Sequence, residues 1–329
     1  MKTETLSRCE LLINNREALR PVMRMQGDTT QFSCALLYAL NDKEANADVL
    51  ASVRQLLKQQ TGVFSSFRGM GEYTIIAMLA MSDDPQVRLE KALRAYEALR
   101  KSFHASDYLP LAALTLSTGT DESRYDEVAY RAFSLYQQIR KMHPMISDSA
   151  DISNCLMMAL SDTDDTTLLQ NAEFCFGQLK ESLGSFSGNA RQAIGFALTQ
   201  SGGDMTLLCD KVAALYKAFM AAGCKWSMER LLPLLGALAL RGEDADTLVK
   251  EVLEAEAWLK PHKGMSGFFA SVDRATRLCF ASLIVISGGD ATGLAANEAV
   301  THAIQQQMLM TSCMISVSVA TAAATSHHS

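Results

Sequence analysis

An apolar helical segment, a short polar turn and an amphipathic helical segment recur in that order, about every 41 residues. The clearest copy runs from Tyr108 to Lys141. Its apolar segment spans Tyr108 to Leu116, its turn Ser117 to Ser123, and its amphipathic helix Tyr125 to Lys141. Leu40, Met81, Leu116, Leu160, Leu198, Leu240 and Ile286 close the equivalent apolar segments. A unit of this kind cannot bury its own apolar faces, so neighbouring units must stack. The pattern predicts an all-α chain: an α-solenoid or αα-superhelix of about seven helical-hairpin repeats.

The turns carry their own start and stop signals. Glycine ends a helix in the left-handed region without steric cost, and an acid one or two residues later caps the next helix. Gly202 with Asp204 reads this way, and Gly288 with Asp290. Pro110 and Pro233 fall near the starts of apolar segments, where proline is tolerated. If the sixth segment begins at Ser227, Pro233 should instead kink it.

The plan occupies one domain, 1–329. Residues 1–28 read as a lead-in helix, with Leu12, Ile13 and Leu19 available for one face; 30–290 hold the repeats. The stretch from Ala299 to Ala324 has no Asp, Glu, Lys or Arg. Its Gln and Ser/Thr content keeps it below the standard of a membrane span, so 294–324 read as a C-terminal capping helix. A membrane is not an expected partner, whereas oligomerisation through this helix is compatible with its composition.

Composition narrows the function classes. Hydrophobic residues make up 48% and aromatics 7%, with 6 prolines, which favours a large helical core. The net charge of -6 argues against nucleic acid, whose phosphates need a basic face. The 8 cysteines form no Cys-x-x-Cys pair and read as buried thiols in a reducing cytosol. The N-terminal segment lacks the apolar core of a signal peptide, and a cytoplasmic protein is expected.

No catalytic residue, metal ligand or cofactor motif stands out. Asp162, Thr163, Asp164 and Asp165 match the Asp-x-Asp-Asp pattern of helical-barrel terpenoid cyclases. Those sites need an aromatic-lined cavity, and here the acids fall in a repeated turn, so helix capping is the expected role. The six histidines form no ligand cluster, and no glycine-rich phosphate loop or Gly-x-Ser-x-Gly elbow appears.

The turns after the apolar segments are acidic, from Asp42 to Asp290. The loops before those segments carry Arg68, Lys101, His104, Lys141, His143, Lys225, Trp226, Lys260, His262 and Lys263. Helix-dipole matching accounts for the division and leaves a field that a partner could use. Arg191, Arg230, Arg274 and Arg277 lie within or just before apolar segments, where a charge needs a partner. The candidate binding residues are Phe67, Arg68, Tyr108, His143, Asp151, Asn189, Arg191 and Gln192.

These positions also carry a resemblance. Ser65 to Gly69, Phe103 with Tyr108 to Ala113, His143 and Pro144 with Asp151, and Gly188, Asn189, Arg191 and Gln192 are similar to motifs of a bacterial family. It is the domain-of-unknown-function family numbered four thousand and three. The resemblance runs from Phe32 to Ile286 and does not extend to the tail beyond Met310. It implies an all-helical cytoplasmic protein and supplies no activity. The leading functional expectation is a non-catalytic scaffold that binds a protein or peptide along its groove or along the rim between units. The alternative is an enzyme with a polar cavity inside a helical toroid.

Overall fold

Apolar segments buried on every side alternate with helices that bury a single stripe, and this alternation sorts the chain into inner and outer helices. The computed structural model describes residues 1–147, 149–184, 187–267 and 272–288. The expected C-terminal capping helix, Asp290, and Phe268 and Phe269 lie outside them.

The outer helices are α1 (Thr3–Leu19), α3 (Ala47–Gln60), α5 (Pro85–Arg100), α7 (Tyr125–Met142), α9 (Asp165–Leu183), α11 (Met205–Ala221) and α14 (Ala245–Leu259). The inner ones are α2 (Asp28–Leu40), α4 (Glu72–Ala80), α6 (Leu109–Gly119), α8 (Asp151–Leu160), α10 (Gly188–Thr199), the pair α12 (Met228–Leu231) and α13 (Leu235–Ala239), and α15 (Arg274–Ser287). Among the described residues there is no β-strand.

The stripe of α7 shows why an outer helix forms. Tyr125, Val128, Ala129, Ala132, Leu135 and Ile139 are buried at three- and four-residue steps, while its other faces stay polar. The inner α2 is buried continuously from Gln31 to Ala39. Asn46, Asp84, Asp164, Asp204 and Asp244 cap the helices that follow them, each accepting from a first-turn backbone N–H. Gly202 is left-handed at φ +66°, as its turn requires. In the first turn Asp42 takes this conformation, φ 50°, and its carboxylate accepts two hydrogen bonds from Arg8 at 2.8 and 2.9 Å. Gly288 does not: its φ is -88°, and its N–H bonds back to Ile284 and Val285. Pro233 breaks the sixth inner segment, where the 3-10 turn Leu232–Leu234 separates α12 from α13.

Packing departs from the hairpin unit read in sequence. Most outer helices pack most extensively on the inner helix that follows, as α1 on α2, α5 on α6, α7 on α8, α9 on α10 and α14 on α15, whereas α11 packs about equally on α9 and α13. The helices on either side of a polar turn touch far less. Gly195 shows how α9 and α10 come so close: a Cβ there would meet the Ala172 carbonyl oxygen at 2.9 Å.

The inner helices contact one another in chain order, and α15, after touching α12 and α13, packs on α2. The outer helices do the same, with α14 reaching back to α1. The segment expected as a lead-in helix thus ends at Leu19 and lies against the last described helices. Leu12, Phe32 and Ala35 share one hydrophobic cluster with Leu283 and Ile286. Thr5 and Lys2 reach Glu251 of α14, and Lys2 also pairs with Glu243.

Candidate functional site

Contacts tie several of the loops that lead from an outer helix into the next inner helix to a neighbouring unit. Met70 N donates to Asp107 Oδ1 at 3.4 Å, tying the α3–α4 loop to the α5–α6 loop. Gln192 Nε2 donates to Ser147 Oγ at 3.1 Å, tying the start of α10 to the α7–α8 loop. Arg230 on α12 grips Asp273 in the α14–α15 loop, at 2.9 Å to each carboxylate oxygen. These loops expose Met25, Val63, Phe64, Met70, Met145 and Trp226. Among the described residues, no large apolar side chain is exposed in the turns that follow the inner helices.

The candidate residues divide into two groups. In the first, Phe67 sits in the 3-10 turn Ser66–Arg68, wholly buried and edge-on to Tyr96 at 5.3 Å. It holds the loop in place and offers no surface. Arg68 and Tyr108 are half-buried. Asp107 crowds Gly69, so that a Cβ there would come 2.4 Å from its Oδ1 and displace the Asp107 carboxylate.

In the second group, His143 and Arg191 meet on Phe176 of α9. His143 caps the C-terminus of α7, stacks on Phe176 at 4.1 Å, and places Nε2 2.7 Å from Glu173 Oε2. Arg191 stacks on the same ring, with Cζ 4.2 Å from its centroid, and donates from Nη1 to the Phe176 carbonyl at 2.7 Å. Gln192 is buried beside Arg191, with Oε1 unpartnered. Asp151 opens α8 and is buried, whereas Asn189 is exposed on the first turn of α10.

The buried arginines differ in one respect. Arg16 pairs with Glu17 and Asp28, Arg241 with Glu243, and Arg277 with Glu256 at 2.7 Å. Arg191, only 4% exposed, has no carboxylate partner among the described residues, and its Nε is buried without any partner. Burial alone lowers its pKa from the ordinary arginine value.

The Asp-x-Asp-Asp motif resolves into structural roles. Asp164 caps α9 through Thr167, which, with its hydrogen bonds, holds its carboxyl below the usual range. Asp165 pairs with Arg131 at 2.8 Å. A depression of about 350 Å³ lies beside these residues, lined by Arg124, Arg131 and Asp162. Charge also crosses between the two ends of the helices, since Lys101 pairs with Asp126 at 2.6 Å.

A groove of about 780 Å³ at the α1–α2 loop went unread in sequence, lined by Arg16, Arg20, Arg24, Glu17, Asp28 and Gln31. Its signal was the four-residue spacing of the arginines. Glu17 and Asp28 offset much of its charge. Among the described residues no group of three or more His, Cys, Asp or Glu is placed to hold a metal ion, and no helix is long and apolar enough to cross a membrane.

No curated protein and no solved structure matches the chain. The model of a family described as protein of unknown function (DUF4003) matches residues 16–321. With its helices, its loop motifs and this match across most of its length, the chain belongs to the DUF4003 family.

Proposed function

We propose that the helix pairs form a closed αα-ring, in which α1 completes the outer layer next to α14, and that the loops leading into the inner helices form a docking rim for a protein or peptide. The exposed apolar residues on those loops carry this reading. Phe64 is 103% exposed and Trp226 91%, and an exposed aromatic loses nothing on desolvation while supplying most of the contact area of a typical binding hot spot. Singly scattered apolar residues are ordinary on a surface. Here they recur in four of these loops, α1–α2, α3–α4, α7–α8 and α11–α12, and among the described residues stay out of the turns that follow the inner helices. Exposed Arg24, Lys141, Lys225, Lys260 and Lys263 share that edge, so the complementary partner is acidic.

The test compares the purified chain with a Phe64→Ser, Trp226→Ser variant and with Asp83→Ser in an opposite turn. Partners captured from the native host are then re-bound as purified proteins. Loss of binding by at least about tenfold in the rim variant, with Asp83→Ser unchanged, supports the rim. Equal binding by all three forms rejects it, and so does binding only to vesicles of anionic lipid.

A further inference from the structure

We infer that Arg191 anchors an oxyanion site, accepting a carboxylate or phosphate group at the N-terminus of α10. The inference rests on the docking-rim reading and gives that rim a ligand chemistry. A guanidinium taken out of water needs a counter-charge, and the other buried arginines have carboxylates for this purpose. Among the described residues Arg191 has the Phe176 carbonyl and ring but no carboxylate within ion-pair distance, and its buried Nε has no acceptor.

The backbone beside it has the same character. α10 runs for 12 residues from Gly188, and its N-cap, Ser187, makes no side-chain cap. The Ser187 hydroxyl donates backwards to Gly184 O at 2.7 Å and so does not cap the first-turn amides of α10. Helical side chains lean towards the N-terminus, which brings the Arg191 stem towards those amides. Guanidinium, amides that the N-cap side chain leaves uncapped and the positive end of the helix dipole are together the elements of an anion site. Gln192 adds a buried Oε1 that would accept from an O–H or N–H on the ligand, while its Nε2 is fixed by Ser147. The nearby Glu173 carboxylate is engaged by His143 and so opposes an incoming anion less.

The experiment titrates the full chain at constant ionic strength with inorganic phosphate in one arm and a short glutamate-bearing peptide in the other. Calorimetry and thermal unfolding are the readouts. A saturable rise in Tm is expected in at least one arm, and the tighter arm names the source of the oxyanion. Arg191→Met should weaken binding at least about tenfold and Arg191→Lys less, because lysine keeps the charge but loses the fork. Without ligand, Arg191→Met should unfold no earlier than the natural chain, since it removes a buried charge with no carboxylate partner among the described residues. A merely structural arginine would show the opposite.

Hydrogen exchange of the natural chain needs no variant: phosphate or the peptide should slow the amides from Gly188 to Arg191. Equal binding by Arg191→Met overturns the proposal, as does an unchanged exchange pattern with both anions. A rim that keeps its partner while failing this test would separate the two readings.

Discussion

Thr5, in the first turn of α1, donates its hydroxyl to Glu251 Oε1 of α14 at 2.6 Å, across 246 residues of sequence. Both side chains are buried, and Lys2 adds a backbone donor at 3.3 Å and its ammonium at 3.7 Å. Thr5→Val keeps the shape and removes the donor. The Glu251 carboxylate then loses a charge-assisted bond in a dry seam, at a cost of about 1–3 kcal/mol. Urea unfolding should show that loss, and hydrogen exchange should quicken first in α1, α14 and α15. Unchanged stability would mean that the contact between first and last helices contributes little.

Acid should loosen the same seam. The Arg241 side chain, with help from Lys2, holds the Glu243 carboxyl down at about 2. Unfolding returns it to the ordinary glutamate value, so the unfolded chain binds more protons between those limits. The stabilisation is full above about pH 4.5 and fades as pH falls towards 2. Partial exposure screens the pair, and a contribution of about 1 kcal/mol is expected. Glu243→Gln should lower stability by that amount at pH 7 and flatten the slope below pH 4.5. An unchanged slope in acid denaturation profiles would contradict the assignment.

Two glycines on neighbouring helices should respond in opposite directions to the same substitution. In Gly195→Ala the new methyl meets the Ala172 backbone at 2.9 Å, where nothing can rotate away, and a net loss of about 1–3 kcal/mol is expected. Gly177 of α9 faces open space, so Gly177→Ala should gain about 0.5–1 kcal/mol from helix propensity alone. Thermal unfolding ranks the variants. A Gly195→Ala protein at least as stable as the natural chain would reject the close approach of α9 and α10.

The described cysteines are all buried. Burial pushes the Cys9 and Cys279 thiols up to about 12, so little thiolate forms at neutral pH. A thiol reagent at pH 7 should modify Cys9, Cys155 and Cys279 only as fast as the fold opens, with rates that rise in step with urea. Site-resolved mass spectrometry reads this directly. Rapid labelling of Cys279 in the native protein would contradict its burial.

Local features were legible residue by residue. Gly202 with Asp204 reads correctly as a stop and restart because both signals act within a few residues. For Pro233 the conditional reading holds: the segment begins near Ser227, so the missing N–H falls in its interior and breaks it, whereas Pro110 sits in the first turn of α6 and is tolerated. Gly288 also marks a stop, since α15 ends at Ser287, but it does so without the left-handed region, which glycine permits and does not require. At the candidate site, Arg191 was flagged as a charge in an apolar segment, yet its lack of a carboxylate could not be read. Phe67 and Phe64 sit three positions apart with the same chemistry, and only one is buried. Nothing in their neighbours announces which ring turns inwards.

The sequence by itself determined that this chain is helical and where most helices start and stop, because periodicity, capping and turn chemistry are set within about one helical turn. Tertiary structure decided which helices pair most closely, that α1 meets α14, and which buried arginine lacks a counter-charge. Each of these depends on side chains brought together from distant segments. A guanidinium finds its carboxylate only after packing has fixed where both helices lie, and for Arg191 that packing supplied an aromatic ring and a carbonyl instead.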